Sequence, residues 1–255
     1  MDDVLRDLDA QQAELAGLLA GMDEAGWSAA TPCPDWDVAD VVLHLAQTNE
    51  LATASAEGRF AAHLEALAGG PATGRPQGIT NVDDGAGWLV DQERGAPIGD
   101  LARRWGESVR RLRAALSSQD PSTRVEWVAG QVAIRTLATT RIAETWIHTT
   151  DAAAALGVDL PPTERLRQIA RLAWRSLPYA FERSGQTMSG PVDFELTGPK
   201  GDAWDLRNEG ALTVVRGPAL DLCRVAGRRV VATDTDLTAD GPDAAAVLEL
   251  VRTFA

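Results

Sequence analysis

Glu144 and His148 stand four positions apart in a stretch, Gln131 to Leu156, that holds neither glycine nor proline. At about 100° per helical residue, that spacing places a carboxylate and an imidazole on one face, one turn apart, where the pair can chelate a single ion. The chain has only three histidines, so the position of each carries weight. His44 lies among Val41, Val42 and Leu45; in an antiparallel bundle its face can meet that of Glu144 and His148. The result would be a His2Glu set with positions left open for water or substrate. Arg141 and Asp151 share the Glu144 face: Asp151 is placed to hydrogen-bond a ligand imidazole, Arg141 to pair with Glu144 or to hold a substrate carboxylate. Spacing alone also allows a plainer reading, because Glu and His at this interval occur by chance on many helices and a buried His is more often a hydrogen-bonded core residue.

Other chemistries find less support. Cys33 and Cys223 show no CxxC spacing, so neither a disulfide framework nor a thiolate zinc knuckle is expected, and both read as small buried hydrophobes. A reactive thiol at Cys33 is the alternative, since its Thr31-Pro32-Cys33-Pro34 turn precedes a helix. His63 and the Arg110-Arg111-Leu112-Arg113 run read as solvent-facing, Trp127 and Trp146 as core. A Gly-rich phosphate loop, a nucleophile elbow and an HExxH motif are all missing from the sequence. A formal charge of −13 argues against nucleic acid and anionic membranes as partners. No run of about 18 apolar residues occurs, and Met1-Asp2-Asp3-Val4 lacks the order of a secretory signal, so a cytoplasmic location is expected.

The elements that must position these residues follow from periodicity and punctuation. Apolar residues from Val4 to Leu19 recur at helical spacing, and Gly21 closes that helix. Asp37 caps a second helix running through Val38, Val41, Val42, Leu45 and Leu51, with Asp40 in its first turn. Residues 69–99, rich in Gly, Pro, Asp and Thr, read as a long loop or lid with a short helical piece around Trp88. A third helix spans Asp100 to Leu116 and a fourth Gln131 to Leu156, stopped by Gly157; another covers Glu164 to Arg183. The chain then changes character: Val192–Leu196 and Ala203–Leu206 form a hairpin, Ala211–Val215 a third strand, Arg229–Ala232 a fourth. Helices follow Pro218 and cover Asp243 to Phe254. The fold class is therefore α+β, with a helical bundle over residues 1–160 and a connecting helix plus a small α+β domain over 161–255.

Two segments resemble a known family. The stretch Thr31-Pro32-Cys33-Pro34-Asp35-Trp36-Asp37-Val38, continuing through Asp40 to His44-Leu45, is similar to the TPCPxWxVxDvxxHL entry into the metal-bearing helix of the mycothiol-dependent maleylpyruvate isomerase-like proteins of the DinB superfamily. Arg141-Ile142-Ala143-Glu144, with His148 and Asp151, resembles that family's RxxExxxHxxD helix. The tail from Val192 to Phe254, including Gly217-Pro218-Ala219-Leu220-Asp221-Leu222, resembles the small domain that often follows the bundle. The resemblance implies a DinB-like up-and-down four-helix bundle followed by a sterol-carrier-like α+β domain. It assigns His44, Glu144 and His148 as ligands of a divalent metal, commonly zinc, and mycothiol as thiol cosubstrate. Coordination to the cation would lower the thiol pKa. The thiolate would add to the cis double bond of maleylpyruvate, allow rotation, and leave as fumarylpyruvate forms, while related members transfer the thiol to other electrophiles. The Gly/Pro-rich 69–99 segment would contribute to the rim of the small-molecule pocket. Two readings stand beside this one: a non-catalytic metal-binding sensor or partner-binding module, and an enzyme that uses metal-bound hydroxide.

Overall fold

A computed structural model describes residues 1–67, 82–128 and 130–253, and the chain divides into two compact units, Met1–Leu160 and Pro161–Ala255. In the first unit the helices are α1 (Asp2–Leu19), α2 (Glu24–Trp27), α3 (Val38–Ala56), α4 (Phe60–Leu67), α5 (Val82–Glu93), α6 (Ile98–Ser117) and α7 (Ile134–Ala155). Between α6 and α7 lies a hairpin of β1 (Arg124–Trp127) and β2 (Gly130–Ala133).

The four long helices close a ring, α1 against α7, α7 against α3, α3 against α6, and α6 against α1. Each buries a different share of its surface, as its sequence dictates. On α6 a strongly one-sided pattern buries Leu101, Trp105, Leu112 and Leu116 and leaves Arg103, Arg110 and Arg111 outward, while the half-buried Arg104 pairs with Glu50 and Glu93. By contrast, α7 is covered around nearly its whole circumference. Its threonines can be buried there because their hydroxyls bond back to the helix's own carbonyls: Thr139 to Arg135, Thr140 to Leu137, Thr145 to Arg141, Thr149 to Thr145 and Thr150 to Ile147. Around α3 a core cluster unites Leu15, Trp27, Val38, Val41, Val42, Leu45, Val90, Leu101 and Trp105.

Two expectations for this unit are corrected. The fourth helix begins at Ile134, because Gln131–Ala133 pair with Arg124–Glu126 as a β-ladder. Gly130, at φ 99°, stands opposite Trp127 at the closed end of that hairpin, a conformation that favours glycine. The alternation of charged and apolar residues in Arg124-Val125-Glu126-Trp127 matches this strand, with Val125 and Trp127 inward and Trp127 against Phe60. His63 is half-buried on α4, with its Nε2 enclosed, instead of facing solvent. The helical piece around Trp88 is α5; residues 68–81 of the Gly/Pro-rich segment lie outside the described residues. Trp127 and Trp146 are core, and Arg110 and Arg111 are exposed.

The second unit holds α8 (Leu166–Arg183), α9 (Ala219–Ala226), α10 (Ala244–Leu250) and a four-stranded sheet. Its strands are β3 (Val192–Thr197), β4 (Ala203–Leu206), β5 (Thr213–Pro218) and β6 (Thr238–Asp240), in the order β4-β3-β5-β6. The β3–β4 hairpin is antiparallel, β5 runs parallel to β3, and β6 antiparallel to β5. The expected strand at Arg229–Ala232 does not form. Residues 227–229 close α9 instead, with Gly227 N–H to the Cys223 carbonyl, Arg229 N–H to that of Arg224, and Arg228 at φ 61°. The fourth strand is β6. The last helix is shorter than expected, since Val251 turns to extended backbone. Among the described residues no helix is long and apolar enough to cross a membrane.

Candidate metal centre

The start of α3 sets the position of His44. Asp37 caps the helix by accepting from the Asp40 N–H at 2.9 Å, while the Asp40 carboxylate accepts from the Asp37 N–H at 3.3 Å, a reciprocal box that satisfies two otherwise orphaned donors. Arg94, in the turn just after α5, pairs with the same Asp40 carboxylate at 3.1 Å. Ahead of the cap, Thr31 folds the chain back on itself, its hydroxyl donating to the Trp36 carbonyl at 2.9 Å and accepting from the Cys33 N–H at 3.2 Å. Asp35 adopts φ 64° within this turn, and Arg94 donates to its carbonyl. The turn thereby aims Cys33 and Trp36 toward the histidines.

His44, in the second turn of α3, and Glu144 and His148, midway along α7, are brought together by the ring of helices. His44 Nε2 is 2.7 Å from Glu144 Oε1, and His148 Nε2 is 3.5 Å from the same oxygen. The two imidazoles meet edge to face with centroids 4.8 Å apart. Trp36 covers them, 5.1 Å from His44 and 6.1 Å from His148. All three candidate ligands are buried, and their donor atoms lie within 4.8 Å of one another. Two imidazole nitrogens and a carboxylate oxygen converging in this way are a donor set suited to a small divalent cation such as zinc, whose ligand bonds run about 2.0–2.2 Å.

Asp151 stands behind the trio. Its Oδ2 lies 3.0 Å from His148 Nδ1, so the far nitrogen of that ring is engaged and Nε2 is the one turned toward Glu144. Cys33 Sγ sits 3.2 Å from the same Asp151 oxygen and 3.9 Å from His148 Nδ1. Cys33 is thus half-buried at the site instead of being an inert core residue, a correction to the sequence reading; Cys223 is the buried one, its thiol pushed up by desolvation. Arg141 is 2% exposed and crosses to α3, donating from Nε to Asn49 Oδ1 at 3.3 Å and from Nη2 to Thr48 Oγ1 at 2.9 Å. Its bonds therefore go to α3, and Glu144 is an electrostatic neighbour.

Electrostatics divide the trio. Burial pushes the Glu144 carboxyl upward, but hydrogen bonds from His148 and His44 outweigh it and hold the group well below the ordinary carboxylate range. Burial likewise pushes His148 down, yet its bonds to Asp151, Cys33 and Glu144 prevail and raise it well above the usual imidazole value. For His44 desolvation wins, and its value is lowered. A raised His148 beside a lowered Glu144 and a lowered His44 is a pattern in which a cation can take the place of the His148 proton.

Sequence reasoning missed Trp36, Thr48 and Asn49 as neighbours of the site. Trp36 stood in the quoted TPCPxW stretch, one residue before the Asp37 cap. Thr48 and Asn49, four and five residues after His44, gave no signal of their own, because the partner that reveals them lies on α7.

The model of the mycothiol maleylpyruvate isomerase N-terminal domain matches residues 8–153. The chain is 33% identical over 252 residues to an uncharacterized protein of Mycobacterium tuberculosis, Rv0036c in strain H37Rv and MT0041 in strain CDC 1551, covering 98% of this chain and 94% of the relative. Among solved structures it is similar to a mycothiol-dependent maleylpyruvate isomerase, with a TM-score of 0.60, 17% identity and 95% of each chain covered. A histidine-to-alanine mutant of a mycothiol-dependent maleylpyruvate isomerase matches with a TM-score of 0.59 at the same identity and coverage. That structural likeness carries the fold: an α+β chain with a helical N-terminal part and a small C-terminal sheet. With more than half of its length matched by the family model, and with His44, Glu144 and His148 gathered in the matched bundle, the chain belongs to the mycothiol maleylpyruvate isomerase family.

Proposed function

We propose that this protein is a metal-dependent, mycothiol-using isomerase or S-transferase acting on a small electrophile in the cytoplasm, with a divalent cation, zinc by the nature of the donors, held by His44, Glu144 and His148. The observation that carries the reading is the convergence of those three buried side chains from α3 and α7, with His148 Nδ1 already taken by Asp151. When bound, such an ion supplies Lewis acidity that favours the thiolate form of a nearby thiol.

The chain's own residues prepare the site for that chemistry. Asp151 accepts from Nδ1 of His148, which selects the tautomer whose Nε2 lone pair faces the ligand cluster. Arg141 ties α7 to Thr48 and Asn49 of α3, and so holds Glu144 and His44 in register across two helices. In this reading Arg141 is a positioning residue and not a clamp for substrate. Trp36 lies over both imidazoles and keeps water from one side of them. The thiol of mycothiol is the nucleophile: it adds to one carbon of a polarised cis double bond as a proton reaches the other. Rotation about the new single bond and loss of the same thiol and proton then give the trans isomer. Where the electrophile carries a leaving group in place of that double bond, the product is a thioether and the activity an S-transfer.

The test is a thiol-dependence assay on zinc-loaded protein with maleylpyruvate and a panel of electrophiles. Turnover that requires mycothiol, and is lost in Glu144→Gln, is the expected result. Turnover without any thiol would replace this reading with a hydrolytic one, and saturable binding without turnover would replace it with a sensor.

A further inference from the structure

His148 has a second ring nitrogen, and the donors gathered around it form a triangle of their own. Nδ1 lies 3.0 Å from Asp151 Oδ2 and 3.9 Å from Cys33 Sγ, and Sγ lies 3.2 Å from the same Oδ2. With metal–ligand bonds of about 2.0–2.3 Å, two ligands of a tetrahedral ion stand about 3.3–3.8 Å apart. The triangle therefore matches one face of such a site to within a few tenths of an ångström. It is as compact as the group of His44, Glu144 and His148, since the donors of either set lie within 4.8 Å of one another.

The two donor sets differ in kind. A sulfur ligand beside an imidazole and a carboxylate favours soft, thiophilic cations. Thiolate and carboxylate together also carry the two negative charges that a divalent ion requires. Asp151 and His148 are 1% and 6% exposed, whereas Cys33 is half-buried and lines a cavity of about 390 Å³. Asp35, Asp37 and Asp40 border the same cavity, and its one cation, Arg94, pairs with Asp40 and Asp91. A cation thus reaches the sulfur through surroundings of net negative charge, and the cavity has room for water as a fourth ligand.

We infer that Cys33 Sγ, His148 Nδ1 and Asp151 Oδ2 form a second metal site, one that takes a thiophilic divalent cation and shares His148 with the first. On binding, the Cys33 thiol proton leaves to solvent and the ion takes the place of a proton on Nδ1. The ring then holds its remaining proton on Nε2, toward Glu144 Oε1 at 3.5 Å. A neutral imidazole offers one lone pair, which serves one site or the other. The two sites therefore compete, and only that competition rests on the metal centre proposed above.

Cadmium is the probe, added to chelator-treated full-length protein. The ultraviolet thiolate-to-cadmium charge-transfer band is expected to saturate at about one ion per chain, with half-saturation at or below about 10 μM. Cys33→Ser abolishes the band and Asp151→Asn weakens binding at least tenfold, while His44→Ala and Glu144→Gln, made separately, keep it, as does Cys223→Ala. Preloading with zinc weakens cadmium binding at least tenfold, and cadmium weakens zinc by the same factor. The inference is overturned if no band develops by about 1 mM cadmium or if Cys33→Ser keeps it. Loss of the band in both His44→Ala and Glu144→Gln would also overturn it, making Cys33 a ligand of the first ion. Full zinc content with unchanged cadmium affinity would overturn the sharing of His148.

Discussion

Replacing His148 by alanine tests the metal centre most sharply, because the site's geometry sets the size of the effect. His148 supplies one of three donors, and its removal also leaves Asp151 without an imidazole and Glu144 with one imidazole partner in place of two. Losing a group that merely supports a ligand typically costs 10–100-fold in metal affinity, so losing the ligand itself should cost at least about 100-fold. If free zinc is buffered at about 100 times the parent's dissociation constant, the parent is nearly full and its folded state gains about 2.7 kcal/mol. The variant then sits at or below half occupancy and gains at most about 0.4 kcal/mol. For a protein of this size about 1 kcal/mol corresponds to roughly 2–4 °C, so zinc should raise the parent's melting temperature by roughly 5–11 °C and the variant's by less than about 2 °C. The assay pairs elemental analysis after dialysis against the zinc buffer with calorimetric melts of the chelator-treated and loaded forms. Equal zinc content and an equal zinc-induced shift in the two proteins would remove His148 from the ligand set.

Further outcomes follow from the same structure. Zinc binding should release protons, because hydrogen bonds raise His148 well above its usual value; the affinity therefore falls as pH drops, and titration calorimetry in buffers of different ionisation enthalpy should show the release. Asp37→Ala removes the side-chain half of the α3 capping box and should cost about 1 kcal/mol, read as a drop in melting temperature of roughly 2–4 °C; an unchanged melt would mean the cap does not hold α3. Leu45→Ala, at a fully buried position one residue from His44, should cost about 2–5 kcal/mol in denaturant unfolding. The Asp3 carboxyl is held below its ordinary range by the hydrogen bond from Arg135, so this pair stabilises the fold at neutral pH and its contribution fades as pH falls through that lowered value. Because both side chains are well exposed, Arg135→Gln should cost less than about 1 kcal/mol at pH 7, and its penalty should shrink in acid unfolding series.

Much of the centre was legible in the residues. An i, i+4 carboxylate and imidazole in a glycine-free helix, and a second imidazole behind an Asp cap, are local patterns, and helical geometry sets the face of each helix on which they lie without further information. The helices themselves were legible for the same reason, since period and capping are written within a few residues. Short strands were less so: Gln131–Ala133 continue a helix-compatible run, and only their pairing with Arg124–Glu126 makes them a ladder. Arg229–Ala232 looked like a strand by composition, but the Arg229 N–H is taken in closing α9 and the Val231 and Ala232 carbonyls accept within the next turn.

What tertiary structure alone decided is which side chains meet across helices. That His44 and Glu144 approach to 2.7 Å, that Arg141 spends its donors on Thr48 and Asn49, and that Cys33 rests on Asp151 all depend on how α3, α7 and the Thr31–Trp36 turn pack. Local sequence determines the direction a side chain takes from its own helix; the partner it finds depends on contacts a hundred residues away, which only the packed ring of helices brings within reach.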